Sequence, residues 1–339
     1  MSVAMCAGPA RSTDDVETGP SRPRIHASTS GNSGTYPPRV DPLRVVVRRG
    51  GVVEATHEIH AVAVQNGAVI AEAGDPMHIA LLRSSAKPFQ ALPLVRARTD
   101  LDQLDLAIAS ASHLASPEQL DAVRALLAKA PAEEDELELG TIGEGAGPTK
   151  LHHNCSGKHA GMLALCRTKG WDSSGYHEPQ HPVQQACLEE IATAADADIG
   201  ALPIAIDGCG VPTVALPLER MALMFSRLES IDEGARIAAA MRAHPELIRG
   251  PRAADSMLMR ELDGFAAKGG AEGLMCAAGP QGIGLALKVA DGSTRAVRSA
   301  LAEFLRRLGF ETRELGHVAL ENSLGETVGE IVADRSRTG

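Results

Sequence analysis

Leu81-Leu82-Arg83-Ser84-Ser85-Ala86-Lys87-Pro88-Phe89-Gln90 is the stretch around which the chain is organised. Residues three apart on a helix share a face, so the Ser84 hydroxyl and the Lys87 amine are expected to meet. Pro88 fits best within the first turn of a helix, where its missing N–H would have no intrahelical partner. Ser84 then lies near the positive end of the helix dipole, a field that favours an alkoxide and disfavours an ammonium. A neutral amine can take the serine proton and leave a nucleophile. Two fixed letters in four also arise by chance about once in a few hundred residues, and a solvated helix start satisfies them equally. Two features favour chemistry. The chain holds one Ser-x-x-Lys, and its only lysines are Lys87, Lys129, Lys150, Lys158, Lys169, Lys268 and Lys288. Arginine supplies the other basic charge, and arginine cannot deprotonate in a protein whereas a buried lysine can.

The 339 residues are 44% hydrophobic and 22% charged, enough for one large or two moderate globular domains. The net charge of −10 and the 2% aromatic content argue against nucleic acid, which needs basic patches and stacking surfaces. No run reaches the roughly 18 apolar residues of a membrane span. The start lacks the basic and apolar segments of a secretion signal. Six cysteines are too few for a disulfide scaffold, so a cytoplasmic location with reduced thiols is expected.

Residues 1–40 are rich in Ser, Thr, Pro, Gly and Arg without apolar period and read as a disordered arm. From residue 41 the texture becomes that of a single domain running to about 330. Leu43 to Arg48 is β-branched, Val52 to Val64 alternates, and Asn66-Gly67 signals a hairpin before Ala68 to Ala71. The middle, about 84–262, is mostly helical: Phe89 to Ala97, Pro117 to Lys129, His159 to Arg167, Pro182 to Ala195 and Ile231 to Met241 carry helical apolar spacing. Strands return at Leu274 to Ala278, Ile283 to Val289 and Thr294 to Val297, and a last helix is expected from Arg298 to Leu308. The predicted class is α+β: one antiparallel sheet from about 42–75 and 272–330, built by both chain ends, with a helical insertion.

Three further constellations carry candidate chemistry. Asn154-Cys155-Ser156-Gly157-Lys158-His159 opens a helix, and Asp207-Gly208-Cys209-Gly210-Val211-Pro212 reads as a tight loop. Cys155 and Lys158 share a helical face, and two thiolates with an amine or imidazole could hold zinc, though inert buried cysteines are commoner. Ser110-Ala111-Ser112-His113 follows an apolar run, a Ser-His pairing that neighbours in sequence need not realise in space. Lys288 is a charge within the apolar strand Leu285 to Val289; it faces either solvent or a cleft between sheet and helices.

Arg83 to Pro88, Ala111-Ser112-His113, Asn154 to His159, Asp207-Gly208-Cys209 and Leu287-Lys288-Val289-Ala290-Asp291-Gly292 occur in that order. Together they resemble the asparaginase II family over about residues 42 to 310, with Asn-Cys-Ser-Gly-Lys-His the most specific piece. The resemblance implies a fold similar to serine β-lactamases and penicillin-binding proteins, a homodimer, and hydrolysis of L-asparagine to L-aspartate and ammonia. It implies two adjacent pairs, Ser84 with Lys87 and Ser112 with Lys288. It implies a zinc ion on Cys155, Lys158 and Cys209, with Asp207, His159, Arg83 and His113 around the substrate. Gly210 stands where the family often has a larger side chain. Ser-x-x-K is also the acylating motif of penicillin-recognising enzymes, but no Ser-Asp-Asn or Lys-Thr-Gly accompanies it here. A different acyl hydrolase such as a glutaminase, or a zinc-stabilised binding protein without catalysis, are the competing classes.

Overall fold

A computed structural model of the chain describes residues 40–141, 147 and 149–336. The expected arm lies almost wholly outside them. Among the described residues the fold mixes helices with antiparallel sheet. The strands are β1 (Leu43–Arg49), β2 (Val52–Gln65), β3 (Ala68–Ala73), β4 (Ile79–Leu81), β5 (Ile204–Ile206), β6 (Pro212–Pro217), β7 (Ala266–Gly269), β8 (Leu274–Gly279), β9 (Ile283–Val289), β10 (Val318–Glu321) and β11 (Thr327–Ala333). The helices are α1 (Lys87–Gln90), α2 (Leu92–Ala97), α3 (Gln103–Ala109), α4 (Pro117–Lys129), α5 (Ser156–Lys169), α6 (Pro182–Ala195), α7 (Leu218–Arg227), α8 (Gly234–Ala243), α9 (Pro245–Ile248), α10 (Ala254–Glu261) and α11 (Val297–Arg307).

The main sheet runs β10-β11-β1-β2-β9-β8-β7, with β3 also paired to β2. Every neighbour pair is antiparallel. The long β2 pairs β1 over its first half and β3 over its second, while β9 takes its other edge. Asn66 and Gly67, both at positive φ (52° and 78°), make the two-residue turn that the strand twist requires. The C-terminal β11 pairs with β1, from Val45↔Ala333 to Arg49↔Gly329, so strands from both ends of the sequence close one sheet. A second, three-stranded sheet, β4-β6-β5, was not anticipated; its strands are three to six residues long and carry little alternation. The expected strand at Thr294 to Val297 is instead a 3-10 turn leading into α11, because Asp291-Gly292 ends β9 and Ser293 begins a helical entry.

The helices begin where local chemistry tells them to. At α4 the Ser116 hydroxyl accepts from Gln119 N–H (3.4 Å) and the Gln119 amide oxygen accepts from Ser116 N–H (3.0 Å), with Pro117 first inside. Ser156 to Cys166 of α5 are all buried, so this helix runs through the middle of its layer and shows no polar stripe over that length. Phe89 of α1 meets Phe225 of α7 edge-on, ring centres 5.2 Å apart. The helix α7 lies against β9 so closely that a Cβ on Gly284 would stand 2.0 Å from Ala222 O and 2.2 Å from Ser226 N. Gly284, Ala286 and Lys288 alternate onto that same helical side of the sheet. Gly284→Val is expected to force α7 off the sheet and cost about 2–4 kcal/mol, read as a lower urea midpoint; an unchanged midpoint would show that the helix can retreat freely.

Candidate active site

The stretch 81–90 enters the site from β4. Leu82 N–H donates to Val214 O (2.9 Å), continuing the pairing with β6, and Arg83 N–H donates to Thr213 Oγ1 (3.0 Å). Arg83 holds φ at +48°, a left-handed conformation costly for any residue with a Cβ. Its Nε donates to Asp207 Oδ1 at 2.7 Å, and the same oxygen accepts Gly208 N–H at 2.7 Å. The β6 strand therefore brings the 207–211 loop against the turn that carries Ser84. That turn is a 3-10 segment, Arg83–Ala86, running directly into α1 with Pro88 in its first turn, as the sequence suggests.

Lys87 is buried, and its amine does not pair with Ser84. It lies 2.8 Å from Ser112 Oγ, hydrogen-bonds Ala111 O, and reaches Asn154 O at 3.5 Å. The expected pairing is thus exchanged: the serine that meets Lys87 comes from the segment after α3. Ser84 is half-buried and makes no side-chain hydrogen bond among the described residues, whereas Ser112 is fully buried. Burial pushes the Lys87 amine below its usual range, and the nearby Lys158 cation adds to this. The two elements meet because Gly157 lets the start of α5 press on α3; a Cβ there would be 2.3 Å from Ile108 O.

Lys288 does not join this group. Its amine bonds Val289 O, and its strand position is opposite His60 of β2. The charges acting on it are Glu272 and Asp291, and it in turn acts on His60 and the stacked His78, whose ring centre lies 4.5 Å from that of His60. The expected Ser112–Lys288 couple is corrected accordingly: two strands along the same sheet face, a different lysine is the buried one. Lys268 of β7 has no exposed side-chain surface, and Ser85 Oγ donates to its backbone carbonyl at 2.9 Å. Burial depresses the Lys268 amine, and Lys87 lies near enough to add to this. Sequence reasoning passed over Lys268 because Ala266-Ala267-Lys268-Gly269 is too short to show alternation; its one signal was a lysine in a lysine-poor chain.

The sulfur-bearing residues lie around Lys158. Cys155 caps α5, Lys158 follows in its first turn, and Cys209 arrives on the loop after Asp207. Lys158 Nζ donates to Cys209 Sγ at 3.1 Å, and the Cys155 and Cys209 thiols act on one another's proton affinity. Interaction with Cys209 holds Cys155 well below the usual thiol range, and interaction with Cys155 together with burial pushes Cys209 up. Burial penalises the Lys158 charge, yet the Cys209 and Cys155 sulfurs outweigh it and lift the amine. Among the described residues no three His, Cys, Asp or Glu side chains gather as a metal site, so a metal here needs Lys158 as its third ligand. Two sulfurs and an amine are the donor types from which such a site would be built.

The remaining candidates divide. Asp207 sits beside the cluster through Arg83. His113 is locked elsewhere: Ser156 Oγ donates to Leu151 O (2.9 Å), so it accepts from His113 Nε2–H (2.8 Å), while His113 Nδ1 accepts Ala115 N–H (3.1 Å). Both ring nitrogens are used, and they brace the Ser112 segment against α5. Tyr176 OH accepts Glu138 N–H (2.9 Å) and bonds His159 Nδ1 (2.8 Å), while His159 Nε2 is buried without a partner among the described residues.

His113 gives a pH prediction. Burial lowers its pKa to about 4, below the unfolded value of 6.5, so the folded form binds its proton less readily. The stability from neutral burial is fully present above about pH 6.5 and is lost as pH falls toward 4, up to about 3 kcal/mol. Chemical denaturation between pH 7 and 4 should show this slope, and His113→Gln should flatten it; an equal slope in both would assign the loss to other groups.

The family model described as L-asparaginase II matches residues 45–333. No curated protein matches the chain. Among solved structures, a probable glutaminase from Bacillus subtilis complexed with 6-diazo-5-oxo-L-norleucine is 12% identical, covering 75% of this chain and 84% of its own, at a TM-score of 0.34. A structure of Mglu in its tris and glutamate form is 17% identical, covering 79% of this chain and 63% of its own, at a TM-score of 0.33.

Proposed function

Because the chain belongs to the L-asparaginase II family, we propose that it hydrolyses L-asparagine to L-aspartate and ammonia. Family membership makes it an amidohydrolase. The single observation that carries the mechanism is the buried Lys87 amine 2.8 Å from Ser112 Oγ, one turn from Ser84. In this reading Ser84, the reachable serine on the strained turn, attacks the side-chain amide carbonyl. Ser112, buried against Lys87, passes the departing proton to the amine; Lys87 returns it as ammonia leaves. Water then resolves the ester by the reverse route. Lys268, in place of Lys288, is the second lysine of the site. A β-lactamase-like architecture, a homodimer and a cytoplasmic location complete the reading and rest on the sequence.

Cys155, Lys158 and Cys209 would hold the zinc ion. Bound there, zinc would supply a Lewis-acidic centre that orients the substrate. The protein's own part is to set the pocket wall: Arg83 holds Asp207, and Asp207 shapes the loop that presents Cys209.

Lys87→Arg puts a guanidinium that cannot give up its proton in place of the base, so kcat for ammonia release from asparagine should fall by about 10²–10⁴-fold. Near-normal turnover would remove Lys87 from the base role. A diazoketone analogue of asparagine should label Ser84 and spare Ser112 on peptide mapping; label on Ser112 reverses the two roles. Protein purified without histidine tags should carry close to one zinc per chain, and Cys155→Ala should carry none. Metal-free wild-type protein would dismiss the zinc.

A further inference from the structure

Lys268 is a cation placed where a cation is hard to keep. Its side chain has 0% exposure, and its amine donates to Gly269 O at 2.7 Å. One carboxylate faces it. Asp255, in the first turn of α10, has 1% exposure and brings Oδ2 to 3.8 Å from Lys268 Nζ. Asp255 is itself held on both oxygens: Oδ2 accepts Gly269 N–H at 3.1 Å, and Oδ1 accepts Ser256 N–H at 3.1 Å. The strand that carries the lysine is therefore tied to the carboxylate by a backbone bond next to the ion pair. A buried charge is tolerated when it is paired and its partner is hydrogen-bonded, and it is expensive otherwise.

The other charged groups around Lys268 come from three elements. Lys87 of α1 and Arg249, just after α9, repel its proton, while Cys155 at the start of α5 attracts it from farther off. Arg249 also reaches Ser112 O at 3.4 Å, which places this corner beside the Lys87–Ser112 pair. Burial pulls the Lys268 amine down to about 7, and Asp255 is the strongest influence acting upward.

We propose that Asp255 is a positioning residue of the amidohydrolase site: its buried carboxylate aims Lys268 and keeps it an ammonium beside the serine–lysine pair. The inference rests on the proposed function, since the serines must be the reacting centre for the charge to matter there. Beside them the ammonium stabilises the negative charge that develops on the amide oxygen. The sign follows. Lys268 is charged below its titration and neutral above it, so rate falls on the basic side as pH rises through that point. Without the carboxylate the ammonium is less favourable, and the fall begins at lower pH.

The test is kcat/KM for ammonia release across pH 5.5–9.5, with the full chain as wild type, Asp255→Asn, Asp255→Glu and Lys268→Arg. Asparagine retains an oxygen for Gly269 N–H and loses only the charge. The basic limb should move down by roughly one to two pH units in Asp255→Asn, and Asp255→Glu should return it toward the wild type. Lys268→Arg, which cannot deprotonate, should lose that limb. A uniform loss of rate with the limb in its wild-type place would make Asp255 structural and overturn the inference. A limb that persists in Lys268→Arg would overturn it as well. Should wild type release no ammonia from asparagine or glutamine, the proposed function fails by itself. Nitrogen-15 NMR of the lysine amines then reads the Lys268 midpoint directly, which must fall in Asp255→Asn for the pairing to stand. If Asp255→Asn does not fold, the Lys268→Arg profile decides.

Discussion

Removing a lysine amine from water is the constraint to which the centre of this protein is fitted. A bare ammonium in a low-dielectric interior is costly, so the amine must either find acceptors or give up its proton. Lys87 is met by Ser112 Oγ and by the carbonyls of Ala111 and Asn154, which belong to segments 24 and 67 residues away. Those carbonyls are available because α3 ends at Ser110 and because the chain turns just before α5, freeing backbone groups that a continuous helix would consume. The close contact at Gly157 draws those two helix termini together. Three elements thus converge on one amine, and the serine beside it is a consequence of that convergence.

The two buried lysines show how one residue type can be given two characters. Lys87 has no carboxylate among its hydrogen-bond partners; Lys268 faces Asp255. Environments that separate the proton affinities of like groups divide labour between base and electrostatic stabiliser. The sulfur pair repeats the theme, with the Cys155 thiol pushed down and the Cys209 thiol pushed up. Arg83 adds a mechanical element. Its left-handed backbone, braced by Thr213 and Asp207, sets the direction in which Ser84 leaves the strand.

What could be read from the letters follows from how locally each feature is determined. Helices with their own caps and proline starts, α4 and α6, are legible to the residue, and so is the Asn66-Gly67 hairpin. The Cys155–Lys158 face follows from helical spacing alone. Pairings across the sequence are another matter. Ser84 and Lys87 share a short helical segment, but the choice of Ser112 as the lysine's neighbour depends on where α3 packs, which no local pattern encodes. Lys288 drew notice for its apolar strand neighbours, yet the strand carries it toward His60. Lys268 lies in a strand of four residues, too brief for periodicity to report burial. Thr294 to Ala296 follows Asp291-Gly292, and the helical entry begun at Ser293 takes it out of the sheet.

The pairing of β11 with β1 carries a consequence for how the protein is made. At about 5–20 residues per second, the first strand leaves the ribosome tens of seconds before the strand that will cover it. During that interval β1 has β2 on one edge and nothing on the other, and its Val45-Val46-Val47 core is apolar. An uncovered apolar edge templates association with other chains. Synthesis therefore has a vulnerable period that ends only when the C-terminal hairpin docks, and chaperone dependence or inclusion-body formation should track the speed of translation through the helical middle.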